Sequence, residues 1–441
     1  MRQKEQFCDI LIKDPCWIGG DGTLHNAECI AIKDGSILHI GECADWTGAN
    51  TFSSQGLVWM PGLVDGHTHT SQQLLRGGIL DATPPIWRRI NIPFEAKLTE
   101  ENAELSAAVC ALEMIRSGTT GFIDAGGRHL SQYLHVYRQS GLRAMLSYMT
   151  TDAPFIPESL RTTAKEGLER QISLQKELSK DANGLLRAVY SMPGIEGVSE
   201  EMVRCILTYA KENHLPTEVH MNEYASGVEN FVIKHGIRPY EWLERENLIG
   251  DHFIAAHNIF LAQSEIDIIK RRHVRVVHCP FSNCGKGIPP TPQLLAEGAS
   301  VAFGSDGSGH GGVDLFREIR LFRSIMNARY GVHTADSRII SAAQLLKIAT
   351  EGGADALGIP GLGKIDLGAP ADLIAINMDA PHLYPTCNPI NTIVESACGS
   401  DILHMIVDGK IVMKNRQVLT LDEEKIMFCA HRYMDNLSTG S

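Results

Sequence analysis

The chain has 441 residues, 44% of them hydrophobic, 21% charged and 6% aromatic, with 40 basic and 52 acidic residues giving a net charge of −12. At ~100–200 residues per domain, that length fits two or three ordinary domains, or one large α/β barrel with an appendage; the composition excludes wholesale disorder. The acidity leaves no basic footprint for nucleic acid or an anionic membrane, and the longest apolar stretches, such as Leu57 to Met60, fall far short of the ~20 residues that span a bilayer.

Met1 to Asp9 lacks the apolar core of a secretory signal. Eleven cysteines, scattered from Cys8 to Cys429, read as reduced thiols of a cytoplasmic protein too long to need disulfide staples. Cys279 and Cys284 have no second pair and make a weak zinc motif.

The first fifty residues read as β-structure. Cys8–Ile12, Glu28–Ile32 and Ser36–Ile40 are short runs rich in Ile, punctuated by turns at Gly19 to Gly22 and Asp34-Gly35. The middle alternates. Brief apolar runs end in turn at His67, Asp124, Tyr148, Ser191, His220, His257, His278 and Asp306, separated by amphipathic stretches. Leu105, Ala108, Val109, Leu112 and Ile115 follow helical spacing, Ser199-Glu200-Glu201-Met202 starts another helix, and the polar segment Glu158 to Lys180 reads as an exposed helix. The β style returns at Asp372–Ile376, His404–Val407 and Lys410–Met413.

Eight strand–helix alternations over about 250 residues match a (β/α)₈ barrel, a fold of the α/β class. The expected organisation is a small β-sandwich domain formed by both termini, residues 1–59 and 365–441, around a barrel over 60–364. A barrel gathers the C-terminal ends of its strands on one rim, where the active site lies.

Four of those ends present groups suited to one metal ion. Asp65-Gly66-His67-Thr68-His69 sets two imidazoles on the same side of an extended chain. Glu218-Val219-His220-Met221-Asn222-Glu223 ends a strand in His with a carboxylate three residues later. His257 closes the apolar run Phe253 to Ala256, and Asp306 stands between Gly304-Ser305 and Gly307. Singly, each has a plainer reading: a strand-end His bonded to a carbonyl, a solvated Glu, a turn Asp. Together, His67, His69, His220 and Asp306 form a nitrogen-rich set with one carboxylate, suited to Zn²⁺, or with less preference to Fe²⁺ or Mn²⁺. Water on such an ion drops from a pKa of 15.7 towards ~7, and Asp306 can accept its proton. Glu223, off the coordination sphere, can move protons to a ring nitrogen and to departing ammonia. His257 can orient the hydroxide, while His278 reads equally as support or structure.

With these residues in place the chain resembles the amidohydrolase superfamily. Within it the resemblance is to the branch of methylthioadenosine/S-adenosylhomocysteine deaminases, guanine-type deaminases and triazine chlorohydrolases. The stretches that carry it are MPGLVDGHTHT, IPFEAKLT, EMIRSGTTGFID, VHMNE, AAHN, VVHCPFSN, FGSDG and GAPADLIAI, from Met60 to Ile376. The resemblance implies a single divalent ion on His67, His69, His220 and Asp306, with Glu223, His257 and Asp306 catalytic. It implies a substrate-facing Trp87 and a ribose-binding Glu95, for which a solvated helix start is the alternative. Tyr148 and His310 complete the expected substrate side. Tyr148 falls where relatives carry an Arg, Pro193-Gly194 replaces a His, and the loop Ser308 to Gly312 is short, so S-adenosylhomocysteine itself is not the expected substrate. The expected reaction is hydrolytic deamination of an amino-substituted heterocycle such as a purine, purine nucleoside or pterin, by a homo-oligomer in the cytoplasm. A triazine-type chlorohydrolase and a non-catalytic barrel scaffold are the alternatives.

Overall fold

In the middle of the chain, short apolar runs build two parallel sheets. The computed structural model describes residues 6–181, 183–195 and 197–439; Met1 to Glu5, the opening of the segment in which no secretory signal is expected, lie outside the described residues. One sheet orders Leu63–Thr68, Thr119–Asp124, Arg143–Leu146 and Leu186–Ala188 side by side; the other orders Tyr190–Met192, Thr217–Met221, Phe253–His257, Arg275–His278 and Ser300–Phe303. All their pairings are parallel. Only Val189 separates the sheets along the chain, and its N–H donates to the Leu146 carbonyl at 3.0 Å while that of Tyr190 donates to Pro216 at 2.9 Å. At the far edges, the Asp306 N–H donates to the His67 carbonyl at 3.0 Å. Val64, Ile123, Met145, Val189, Ile254, Val277 and Ala302 pack into one buried cluster closed by Ala354, Leu357 and Leu362.

Helices follow the strands because each has an apolar stripe and a cap. Thr99 caps Glu100–Ser117, whose end is turned by left-handed Gly118; Ser199 caps Glu200–Glu212 at the expected start. The exposed helix expected over 158–180 is shorter. Its regular part is Ala164–Leu178, started by a Thr163–Glu166 capping box, and Ala164, Gly167, Gln171, Leu174 and Leu178 form a buried face.

Segments before and after the parallel strands join one antiparallel-rich assembly. Cys16–Ile18, Leu24–Asn26 and Leu57–Pro61 share a seven-stranded sheet with Leu373–Asn377, Ile402–Val407, Lys410–Lys414 and Gln417–Val418, and a four-stranded sheet holds Ser36–Gly41, Cys29–Lys33, Gln6–Lys13 and Trp46–Ser53. Ile10, Ile30, Phe52, Trp59, Leu373 and Ile406 fill a core drawn from both sheets. Leu57–Pro61 pairs with Leu373–Asn377, so this sheet extends beyond residue 59. Arg143 fastens the assembly to the parallel strands, donating to Asp372 at 2.8 and 2.9 Å and to Asp408 at 3.0 Å. No helix among the described residues is long and apolar enough to cross a membrane.

Candidate active site

Strand ends aim the site residues. His67 is fully buried in Leu63–Thr68, and His69 follows one residue past its end. His220 lies in Thr217–Met221 and His257 ends Phe253–His257, while Asp306 follows Ser300–Phe303. His257 (φ 73°) and Asp306 (φ 57°) take left-handed backbone, which bends each chain as it leaves its sheet. Two glycines allow the close approach. A Cβ at Gly304 would lie 2.8 Å from the His67 carbonyl, and one at Gly307, already at φ 81°, would lie 3.0 Å from that of His69.

These groups converge. Asp306 Oδ1 is 3.2 Å from His67 Nε2 and 3.3 Å from His69 Nε2, and His69 Nε2 is 3.3 Å from His220 Nε2. His67, His220, His257 and Asp306 each offer an atom within 4.8 Å of the others. Ligands about 2.0–2.1 Å from one tetrahedral ion stand about 3.3 Å apart, so the separations fit a divalent metal ion. The donor set fits as well: nitrogen-rich, with one carboxylate.

Hydrogen bonds around the cluster set which ring nitrogens face it. Glu218 Oε1 lies 2.5 Å from His67 Nδ1 and accepts its proton, which turns Nε2 inward towards Asp306. Asn283 Oδ1 lies 3.0 Å from His257 Nδ1 and does the same, leaving the buried His257 Nε2 without a partner. His278 Nδ1 donates to the His257 carbonyl at 2.9 Å. Asp65 accepts from Ser305 Oγ at 2.6 Å and from Ser305 N–H at 3.0 Å, and so ties the two outer strand ends together.

Charge is strongly organised. Burial, then the neighbouring His67, push the His220 pKa down to about 3, and burial pushes His257 to about 4 even against Glu223 and Asp306; both rings are neutral donors. Despite burial, His67 holds Glu218 at about 2 and His257 with Lys286 hold Glu223 at about 2. Asp306 is held well below the carboxylate range against its burial, first by hydrogen bonds to His67 and His69. Burial lowers His67, but Glu218 and Asp306 outweigh it and raise the ring to about 10. Glu218 and Asp306 thus favour a positive charge between them, held on His67 as a proton or, in its place, by a cation.

Glu223 stands beside this cluster, its Oε1 3.8 Å from His257 Nε2 and 2.6 Å from Lys286 Nζ. Lys286 was not expected from sequence. Its ammonium also donates to Ser282 Oγ at 2.6 Å, lies 3.8 Å from Asp306 Oδ2, and is kept charged by Glu223 against its burial. Ser282 Oγ donates a short hydrogen bond to Asp306 Oδ2. Nothing in the irregular run Cys284-Gly285-Lys286-Gly287 marks the lysine, whereas Glu218 was legible: two residues before His220, it must point the same way.

The expected substrate residues divide. His310 Nε2 is 3.6 Å from Asp306 Oδ2. Glu95 is 2% exposed and accepts from Ser71 Oγ and Gln72 Nε2, both at 2.9 Å, so the solvated alternative does not hold. Trp87 is half-buried, its ring 5.4 Å from that of Phe155, and packs on Ile92, Ala153, Ile156 and Leu160. Tyr148 lies past the end of Arg143–Leu146, bridging to Gly127; burial, then Glu177, raise its hydroxyl.

Residues 58–412 match the Amidohydrolase family. The chain belongs to that family. It is 34% identical over 391 residues to a 5-methylthioadenosine/S-adenosylhomocysteine deaminase of Haloquadratum walsbyi, covering 88% of this chain and 86% of the relative. It is 30% identical over 439 residues to a 5'-deoxyadenosine deaminase of Methanobrevibacter smithii, covering 98% and 99%. The crystal structure of a zinc-bound adenosine deaminase from Xanthomonas campestris superposes with a TM-score of 0.91 at 27% identity, covering 99% of this amidohydrolase chain and 100% of that one.

Proposed function

We propose that this protein is a mononuclear metal-dependent aminohydrolase that replaces the exocyclic amine of a purine nucleoside by oxygen and releases ammonia. The observation that carries the reading is the convergence of three imidazoles and Asp306 with separations of 3.2 and 3.3 Å, beside a Glu223 whose carboxylate lies 3.8 Å from His257. Two features support a closed (β/α)₈ barrel over 60–364: the single-residue join at Val189 and the backbone bond from Asp306 to His67. The described residues of 1–59 and 365–441 supply most of the strands of the proposed sandwich, with Met60 and Pro61 completing one of them.

In this reading His67, His69, His220 and Asp306 hold the ion, with Zn²⁺ favoured by the nitrogen-rich set. When bound, such an ion lowers the pKa of water towards ~7 and supplies hydroxide at neutral pH. Asp306 accepts the proton of the attacking water, and His257 Nε2 orients the attacking oxygen. Glu223, anionic at rest, takes up the proton that the attacking water released to Asp306 and delivers it to the ring nitrogen beside the reacting carbon. It then takes the remaining proton of the added water from the new hydroxyl and passes it to the exocyclic nitrogen, so a C=O bond forms as the C–N bond breaks and ammonia leaves neutral. Lys286 fixes the Glu223 carboxylate in place between these transfers. Glu95 receives both its donors on Oε1, leaving Oε2 to accept from the vicinal hydroxyls of a ribose. Trp87 supplies an apolar wall. The names carried by the relatives support adenosine nucleosides modified at the 5' position as substrates. The eleven thiols are all free, which supports a reducing, cytoplasmic setting.

The test is ammonia release from adenosine, 5'-deoxyadenosine, 5'-methylthioadenosine and guanine by the wild type and Glu223→Gln. The variant loses about 10²–10⁴-fold in kcat while retaining one bound ion. A panel substrate whose turnover survives the substitution would overturn the role of Glu223; a chain inert on the whole panel would overturn the substrate class.

A further inference from the structure

A second group of ligand atoms lies in the C-terminal part of the chain, on none of the elements that build the active site. His382 sits in the turn after Leu373–Asn377, and Cys398 and Asp401 flank the short turn that follows the helix Pro389–Ser396. The His382 Nε2, a Cys398 Sγ and an Asp401 carboxylate oxygen all lie within 4.8 Å of one another. His382 Nε2 is 2.9 Å from Asp401 Oδ2, and Cys398 Sγ is 3.4 Å from the same oxygen. Around one tetrahedral Zn²⁺, with Zn–S about 2.3 Å and Zn–N and Zn–O about 2.1 Å, these pairs stand about 3.4 and 3.6 Å apart. Sub-ångström side-chain shifts therefore suffice.

The three residues are arranged in advance. Asp401 is 5% exposed, and its Oδ2 accepts the Cys398 N–H at 2.9 Å while its own N–H donates to the Cys398 carbonyl at 2.9 Å. The adjacent Gly399 N–H is held by Asp314 Oδ2 at 3.0 Å. Thiol and carboxylate are thus fixed on a closed backbone loop. The His382 side chain is 46% exposed and provides the way in, with solvent on the remaining coordination position. Thiolate, imidazole and carboxylate together are borderline-soft ligands, which select Zn²⁺ or Co²⁺ over Mg²⁺ or Ca²⁺.

We propose that His382, Cys398 and Asp401 form a second, non-catalytic binding site for a thiophilic divalent cation of the Zn²⁺ class. On binding, the Cys398 thiol gives its proton to solvent and coordinates as thiolate. His382 moves its hydrogen to Nδ1 and ligates through Nε2, and Asp401 exchanges the hydrogen bonds from these two side chains for the ion.

The test uses the full chain, stripped of metal and titrated with Co²⁺. Cys398 supplies a thiolate-to-Co²⁺ charge-transfer band in the near ultraviolet that the histidine–carboxylate cluster has no thiol to produce. The wild type is expected to bind two equivalents and to show this band; Cys398→Ser and, separately, His382→Ala bind one and lose it, with ammonia release unchanged. A wild type without the band, or a band that survives Cys398→Ser, overturns the proposal. Because the readout is optical, it stands whether or not the chain proves to be a deaminase.

Discussion

Glu318 offers a stability experiment with a definite sign. It lies on the helix Leu315–Met326, is 2% exposed, and accepts the Phe281 N–H at 2.8 Å, bracing the segment that presents Ser282 and Asn283 to the site. Burial raises its carboxyl from 4.5 to about 8, against the opposing hydrogen bond from Phe281. Between those values the unfolded chain has released the proton and the folded chain has kept it. The unfolded state then binds fewer protons, so stability falls as pH rises through this window and levels off above pH 8. At pH 7 the difference spans about 2.5 units at 1.36 kcal/mol each, or roughly 3 kcal/mol. Glu318→Gln keeps a carbonyl to accept from Phe281 but carries no proton to lose. With an unfolding entropy of about 2.1 cal/mol/K per residue, 441 residues make 3 kcal/mol worth about 3 °C. Thermal unfolding from pH 5 to 9 should show the variant gaining about 1 °C over the wild type at pH 5 and about 3 °C at pH 7, then no more above pH 8. A gap that stays constant with pH, or shrinks as pH rises, refutes the reasoning.

Three further outcomes are expected. Lys286→Met leaves Glu223 and Asp306 without their shared ammonium, at about 3–5 kcal/mol for a broken buried pair; calorimetry should show a lower melting temperature and kinetics a larger fall in kcat than change in KM. Arg143→Met, which strands the buried carboxylate of Asp372, is worth a similar 3–5 kcal/mol, and limited proteolysis should then cut first in the sheets built from the chain termini. Chelation should abolish ammonia release and lower the melting temperature, with Zn²⁺ restoring both; full turnover by protein shown by elemental analysis to carry no ion would contradict the metal assignment.

The cluster was legible because a parallel strand buried on both faces is otherwise apolar, so a His or Asp at its end stands out. His67, His220, His257 and Asp306 each break an apolar run, and the structure brings them together. What escaped the sequence was held by partners rather than by pattern. Trp46–Ser53 contains Gly48 and Asn50, poor strand formers, yet it pairs in parallel along Gln6–Lys13. The helix Glu423–Thr439 follows strands closely enough to be overlooked, and is anchored by Glu423 Oε1 accepting from Arg116 at 2.8 Å. Lys286 lies in a loop without period, and only the buried carboxylates around it reveal its place.

The two halves of the site answer to different physics. The ion-binding half is set by strand ends, and there the backbone itself is bent to aim the ligands: Asn222 (φ 49°), His257 (φ 73°), Asn258 (φ 53°) and Asp306 (φ 57°) all sit in the left-handed region. Non-glycine residues in that region cost about 1–3 kcal/mol each and persist only where surrounding contacts enforce them. Those contacts are present. Asn222 Nδ2 donates to both oxygens of buried Glu265 at 3.0 Å, Asn258 Nδ2 to the Ala255 carbonyl at 2.7 Å, and the Asp306 N–H to His67. Around Trp87, which we propose faces the substrate, no non-glycine residue of 84–98 takes left-handed backbone. Trp87 lies on the irregular helical turn Trp87–Asn91 and leans on Phe155, which is 41% exposed, with the Arg88 guanidinium 3.9 Å from the Phe155 ring centre. A change of side chain there touches none of the proposed ligands, whereas a change at Glu218, Asn258 or Ser305 disturbs the hydrogen bonds that hold their strand ends. On the proposed assignment, substrate preference can therefore drift through residues near 87 and 155 while the hydrolytic centre stays fixed, which is why the reaction and its heterocyclic substrate class could be read from the sequence and the substituents could not.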